Sequence, residues 1–171
     1  MTRIWWTSDF IYDIAKIEIG RKADITPQYY KSGNVYDANR KRVLHLDGVS
    51  NNAMFDYNKE VASVKEIIKN NPTDTAWSHT LVNSESTCAT LIAQMPGEGN
   101  RLHYHSDWDE WWYILKGHWE WYVDGRTLIV REGDLVFIER GKRHKITAVG
   151  NGQSIRLAVS REDIYHIYEN K

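Results

Sequence analysis

Between Trp77 and Val159 the chain breaks into short runs rich in β-branched and aromatic residues, from Trp77–Val82 and Cys88–Gln94 to His144–Ala148 and Ile155–Val159. Turn signals separate several of them: Pro96-Gly97, Lys116-Gly117, Asp124-Gly125, Glu132-Gly133-Asp134 and Gly150-Asn151-Gly152. Runs this short, bounded by residues that favour tight turns, cannot hold long helices. They fit an antiparallel sandwich or barrel.

The rest of the chain is read as attached to that unit. Residues 1–57 alternate weakly, with Ile11–Ile19 and Arg42–Leu46 as candidate strands. Residues 58–71 are expected to form a helix, because Val61, Val64, Ile67 and Ile68 fall on one stripe and Asn70-Asn71-Pro72 stops it. A short C-terminal helix is expected after Ser160-Arg161-Glu162-Asp163, with Ile164, Ile167 and Tyr168 as its apolar stripe. The expected organisation is one structural domain: an extension over residues 1–75 packed on a barrel with its C-terminal helix over residues 76–171.

Length and composition set limits on function. The 171 residues suffice for one sizeable core, and 42% hydrophobic with 26% charged residues is an ordinary globular composition. A net charge of −1 offers no basic surplus for nucleic acid or acidic membranes. The longest apolar run, Trp111–Leu115, is too short to span a bilayer, and Asp9 and Asp13 interrupt any signal-peptide core. Cys88 is the sole cysteine, which excludes an intrachain disulfide and a thiolate metal cage. The expectation is a cytoplasmic protein with no nucleic-acid or membrane partner. Eight Trp and ten Tyr against three Phe point to a lined cavity or a subunit contact, because Trp and Tyr carry a polar handle.

The chemistry concentrates in Pro96–Gly117. His103 and His105 alternate around Tyr104, so on a strand both imidazoles enter one cavity. Glu110 opens the next run, and His144 follows Gly141 further on. Three neutral imidazoles and one carboxylate suit a divalent first-row ion and leave coordination positions open. Asp107 and Asp109 are the competing carboxylates. Asp109 would face the opposite side of an extended strand from Glu110. Arg101 shares the inward parity of His103 and is a candidate clamp for a carboxylate or phosphate. Trp112 shares the parity of Glu110, and Trp119 and Trp121 alternate on the following run. All three are expected inside, with Trp111, Tyr113 and Tyr122 outside. His45, His79, His118 and His166 carry no motif support. The direction of Arg156 stays open.

These residues resemble the cupin superfamily. His103-Tyr104-His105, Glu110 and Gly117 match its first motif, with Gly97 upstream. Gly133, Gly141 and His144 match the second, with Glu139 where Pro is usual and Ala148 where Asn is usual. The fifteen residues between Gly117 and Gly133 equal the short spacing of compact bacterial cupins. The resemblance covers roughly residues 76–160. It implies an all-β double-stranded β-helix barrel holding one metal ion per chain on His103, His105, Glu110 and His144. Fe2+ is favoured, with Mn2+, Ni2+, Co2+ or Zn2+ as alternatives. It implies a metal-dependent enzyme acting on a small polar molecule, with Arg101 and Glu110 as catalytic residues and Arg101, Trp112, Trp119 and Trp121 around the substrate. Dioxygenase chemistry is preferred over isomerase, lyase or decarboxylase chemistry on a sugar or hydroxy acid. A non-catalytic small-molecule binder is the reading from another class. A homodimer is implied, and Trp5 and Trp6 fit a subunit contact.

Overall fold

The computed structural model describes residues 28–29, 35–53, 56–161 and 165–169. The elements of the extension are β1 (Gln28–Tyr29), β2 (Val35–Asp37), α1 (Arg40–Leu46), β3 (Asn51–Ala53) and α2 (Val64–Asn70). The barrel strands are β4 (Trp77–Asn83), β5 (Cys88–Gln94), β6 (Glu110–Lys116), β7 (His118–Val123), β8 (Arg126–Arg131), β9 (Leu135–Ile138), β10 (His144–Val149) and β11 (Ser154–Ser160), and β12 (His166–Tyr168) follows.

Two sheets enclose the core. One has the order β3-β4-β5-β11-β6-β9 and the other β10-β7-β8, while β1-β2-β12 form a small third sheet. The connection between sheets comes from the sequence order: β6 and β7 are neighbours in the chain but lie in different sheets, as do β10 and β11. This is the double-stranded β-helix, with two sheets packed face to face and one set of alternating residues between them. The alternation is clean on β6. Glu110, Trp112 and Ile114 are buried, while Trp111 and Tyr113 reach solvent. Strand β5 is buried throughout because both of its faces are covered. Ile92 joins Trp112, Ile114, Trp119, Ile138 and Ile146 inside the barrel. Leu91 and Ala93 pack outward with Trp77 and Ile155 against Val64, Ile67 and Ile68 of α2.

The extension differs from the sequence reading in ways that capping explains. Arg42–Leu46, a candidate strand, belongs to α1. The Asn39 side chain caps the helix by accepting from the Arg42 amide, and Arg42 pairs with Asp37 at 2.7 Å. Leu44 and Val49 then enter the barrel core, so α1 plugs one end of it. The helix expected over 58–71 is shorter. Ser63 accepts from the Glu66 amide and starts α2 at Val64, which leaves Val61 outside and exposed. The C-terminal stripe is not helical where it is described: His166–Tyr168 is a strand. Ile167 pairs with Tyr36 of β2 and bridges Tyr104, and this available sheet edge outweighs a three-residue stripe. The expected strand at Leu102–His105 makes only isolated bridges, His103 facing His144 among them. The candidate strand Ile11–Ile19, Trp5, Trp6 and residues 162–164 lie outside the described residues.

Two glycines set close approaches. A Cβ on Gly117, at φ +81°, would stand 2.1 Å from Ser154 Oγ at the sharp β6–β7 turn. A Cβ on Gly99 would stand 1.8 Å from the Ile146 carbonyl oxygen of β10. Gly99 therefore lets the segment that carries His103 lie against β10. Gly99→Ala is expected to cost about 1–3 kcal/mol of stability, as overpacking does, and to weaken metal binding by displacing His103. Denaturant midpoints and metal titration of the variant check both effects.

Candidate metal centre

His103 and His144 face each other across an antiparallel bridge: the His103 amide donates to the His144 carbonyl at 3.1 Å and the reverse bond is 2.8 Å. His105 extends the same segment, and Glu110 stands at the start of β6 beside it. All four side chains are buried, and one donor atom from each lies within 4.8 Å of the other three.

Backbone carbonyls decide which imidazole nitrogen faces the centre. His103 Nδ1 lies 2.7 Å from the Arg101 carbonyl, His105 Nδ1 2.8 Å from the Tyr165 carbonyl and His144 Nδ1 2.8 Å from the Lys142 carbonyl. A carbonyl only accepts, so each Nδ1 carries the hydrogen and each Nε2 of a neutral ring presents a lone pair. His103 Nε2 and His144 Nε2 are buried with no hydrogen-bond partner. Glu110 Oε2 lies 3.2 Å from His105 Nε2 and 3.6 Å from His144 Nε2. Lone pairs and a carboxylate turned on one another in a dry pocket require a proton or a cation between them. The donor set and its orphaned nitrogens fit a divalent metal ion, with the three carbonyls as the outer hydrogen-bond partners that orient metal-bound histidines.

The charges follow the same logic. Burial alone would raise the Glu110 carboxyl; when His105 and His144 carry a proton on Nε2, their hydrogen bonds and charge outweigh burial and hold the group well below the usual carboxylate range. Burial lowers His103 well below its ordinary value, reinforced by His144, His166 and His105.

The other sequence candidates are placed as follows. Asp109 caps the Arg140 amide and side chain, and Asp107 pairs with Arg161, so both stand away from the centre. Trp112 is buried with its ring centroid 5.7 Å from that of His144. Trp119 is fully buried and Trp121 packs against the same core. Arg101 does not stand free. Its Nε donates to Asp47 Oδ1 at 2.6 Å, its Nη2 donates to the Tyr168 hydroxyl at 2.9 Å, and its guanidinium lies over the Tyr168 ring. Burial outweighs Arg101 and raises the Asp47 carboxyl, and burial raises the Tyr168 hydroxyl.

Sequence reasoning set His166 aside, yet the structure brings it to the centre. Its ring centroid lies 4.7 Å from those of His103 and His105, and its Nδ1 is buried without a partner. No motif or spacing signals this. The contact depends on β12 pairing with β2. Arg156 is the other residue whose place only the fold reveals: it points inward, buried against Trp112 and Trp119.

A β-barrel with three imidazoles and a carboxylate converging in its interior defines a double-stranded β-helix protein with a buried group that could hold a metal ion. Residues 90–160 match the family profile described as a cupin domain, in line with the resemblance carried by the motifs. An oxalate-binding protein of Thermotoga maritima is 35% identical over 74 residues, 42% of this chain and 61% of that one. The tetracenomycin polyketide synthase protein TcmJ of Streptomyces glaucescens is 34% identical over 60 residues, 35% of this chain and 40% of that one. The chain thus spans less than two thirds of the length of either curated relative. A protein with a double-stranded β-helix domain from Klebsiella pneumoniae superposes with a TM-score of 0.56 at 16% identity, covering 66% of this chain and 94% of the other. That likeness is one of fold.

A pH dependence follows from the buried histidines. Burial depresses His103 and His166 below their ordinary value of 6.5. The unfolded chain therefore binds more protons than the folded one as pH falls below that value. Their contribution to stability is present above it and is lost as pH drops through the unfolded value toward the depressed folded ones. Metal-free protein is expected to lose stability progressively on acidification from neutral pH. Denaturation midpoints measured between pH 8 and pH 5 (about the span over which free histidine titrates) check this.

Proposed function

We propose that the chain is a metal-dependent enzyme acting on a small polar organic molecule, with Fe(II) dioxygenase chemistry as the first reaction class. The observation that carries the reading is the set of three inward Nε2 lone pairs and the Glu110 carboxylate in one buried pocket. A divalent ion held there supplies Lewis acidity toward substrate oxygens and, if iron(II), a site for dioxygen. The chain's own residues do the rest. The Arg101, Tyr165 and Lys142 carbonyls hold the rings in one tautomer, and Trp112 keeps the inner side of the pocket apolar and dry. His166 presents a further imidazole beside His103 and His105.

The relative named for oxalate binding supports a ligand that offers several oxygens, and it also supports a second reading, a non-catalytic binder of small molecules. Turnover of any substrate excludes that second reading. We also propose a homodimer. Trp111, Tyr113, Leu135 and Phe137 form an exposed apolar row on the outer face of β6 and its edge neighbour β9, Phe137 being 57% exposed. Sedimentation of the purified protein, expected at twice the chain mass, checks this.

Elemental analysis of anaerobically purified protein tests the metal reading, with about one equivalent of metal per chain expected. His103→Ala, Glu110→Ala and His144→Ala are each expected to weaken metal binding by more than about 100-fold, beyond the loss typical of an outer hydrogen-bond partner. Full metal retention in all three variants would sink the assignment. Oxygen consumption with small organic acids, abolished by the same variants, tests the reaction class.

A further inference from the structure

The barrel interior holds a second polar feature that the metal set does not use. Arg156 lies on β11, only 3% exposed, and its guanidinium is held entirely by uncharged groups. Its Nη1 donates to Gln94 Oε1 at 2.6 Å, and Gln94 Nε2 in turn donates to the Asp47 carbonyl at 3.0 Å. Its central carbon stands 4.7 Å from the Trp119 ring centroid and 5.5 Å from that of Trp112. Among the described residues no carboxylate pairs with it, and its Nε is buried without any partner.

The contrast with Arg101 is instructive. Arg101 spends its Nε on the Asp47 carboxylate and its Nη2 on Tyr168, so its charge is already met. Arg156 has its Nη1 anchored and its Nε–Nη2 edge free. That edge is the two-pronged donor that matches a carboxylate. Two more buried N–H donors without partners, the indoles of Trp119 and Trp121, sit on the inward row of β7. Glu110 and Asp47 act on this charge through space without touching it, and a buried cation with no carboxylate in direct contact is costly. A divalent ion on the four ligands would deepen the imbalance, because Glu110 is the only carboxylate in that set. Burial already pushes Arg156 down to about 10, which still leaves it charged at neutral pH.

We propose that Arg156 seats a carboxylate of the ligand, so that the barrel takes a small carboxylic acid whose charged end lies on the Arg156 Nε–Nη2 edge and whose other oxygens face His103, His105, Glu110 and His144. Trp112 joins the two ends, its ring lying 5.7 Å from His144 and 5.5 Å from the guanidinium carbon. This rests on the metal-site reading for the second end of the ligand, while the first end depends on Arg156 alone.

Calorimetric titration of oxalate, malonate and succinate into the full chain, with the three neutral diamides as controls, tests it. Protein loaded with Co(II) and metal-free protein are both used. In the loaded wild type at least one dicarboxylate is expected to bind about tenfold or more tighter than its diamide, the scale of a charge-assisted hydrogen bond. Arg156→Met is expected to keep full metal stoichiometry and lose that advantage, and Arg156→Lys to recover part of it. Equal binding of acids and diamides by the wild type, no binding of any acid, or undiminished binding by a folded Arg156→Met variant would each overturn the proposal. The wild-type comparison decides the matter even if Arg156→Met fails to fold. Arg156-dependent binding of an acid to a protein that takes up no metal would instead overturn the metal reading and leave the arginine seat standing.

Discussion

Three hydrogen bonds from imidazole Nδ1 to backbone carbonyls organise the centre of this protein. Each spends one nitrogen of a histidine on the main chain and so obliges the other to present a lone pair inward. Because the acceptors are the carbonyls of Arg101, Tyr165 and Lys142, the orientation is written into the backbone path and does not wait for a ligand. Glu110 completes a set of four acceptors in a place that water barely reaches. A pocket of lone pairs and one negative charge is stable only when a cation or protons fill it, and the four residues could hold a metal ion there.

The surrounding structure serves this arrangement. Gly99 lets the His103 segment close on β10, and the bridge between His103 and His144 puts two ligands opposite each other. Trp112 shuts the inner side. The extension contributes more than cover. Through α1 it plugs the barrel with Leu44, and through Asp47 it neutralises Arg101. Through β2 it holds the strand that brings His166 and Tyr168 beside the ligands. The region matching the cupin profile ends at residue 160, and His166 and Tyr168 lie beyond it.

The two arginines show how burial and pairing divide similar residues. Arg101 and Arg156 both carry a delocalised positive charge close to the barrel. Arg101 meets a carboxylate and a hydroxyl and becomes part of the frame. Arg156 meets an amide and two indoles and, among the described residues, touches no carboxylate. Parity along the strand favoured Arg101 as the clamp, but parity reports direction and says nothing of which partner already occupies the donors.

Much of the barrel and its metal set was legible in the residues themselves. Strand periodicity, turn glycines and the alternation of His103 with His105 are local properties with a period of two, and a chain that carries them has few other ways to bury its apolar face. The inward rows of β6 and β7 followed from the same alternation. Arg42–Leu46 misled because a cap residue and one ion pair, not the apolar pattern, decide that helix. The stripe at Ile167 misled because a free sheet edge on β2 competes with a short helix and wins. His166 and the freedom of Arg156 had no local signal, since both arise from contacts between segments far apart in the chain. The sequence by itself determined a β-helix barrel with four convergent candidate ligands. Only the tertiary structure decided which histidine joins them and which arginine lacks a carboxylate in contact, because burial and pairing are properties of neighbours in space.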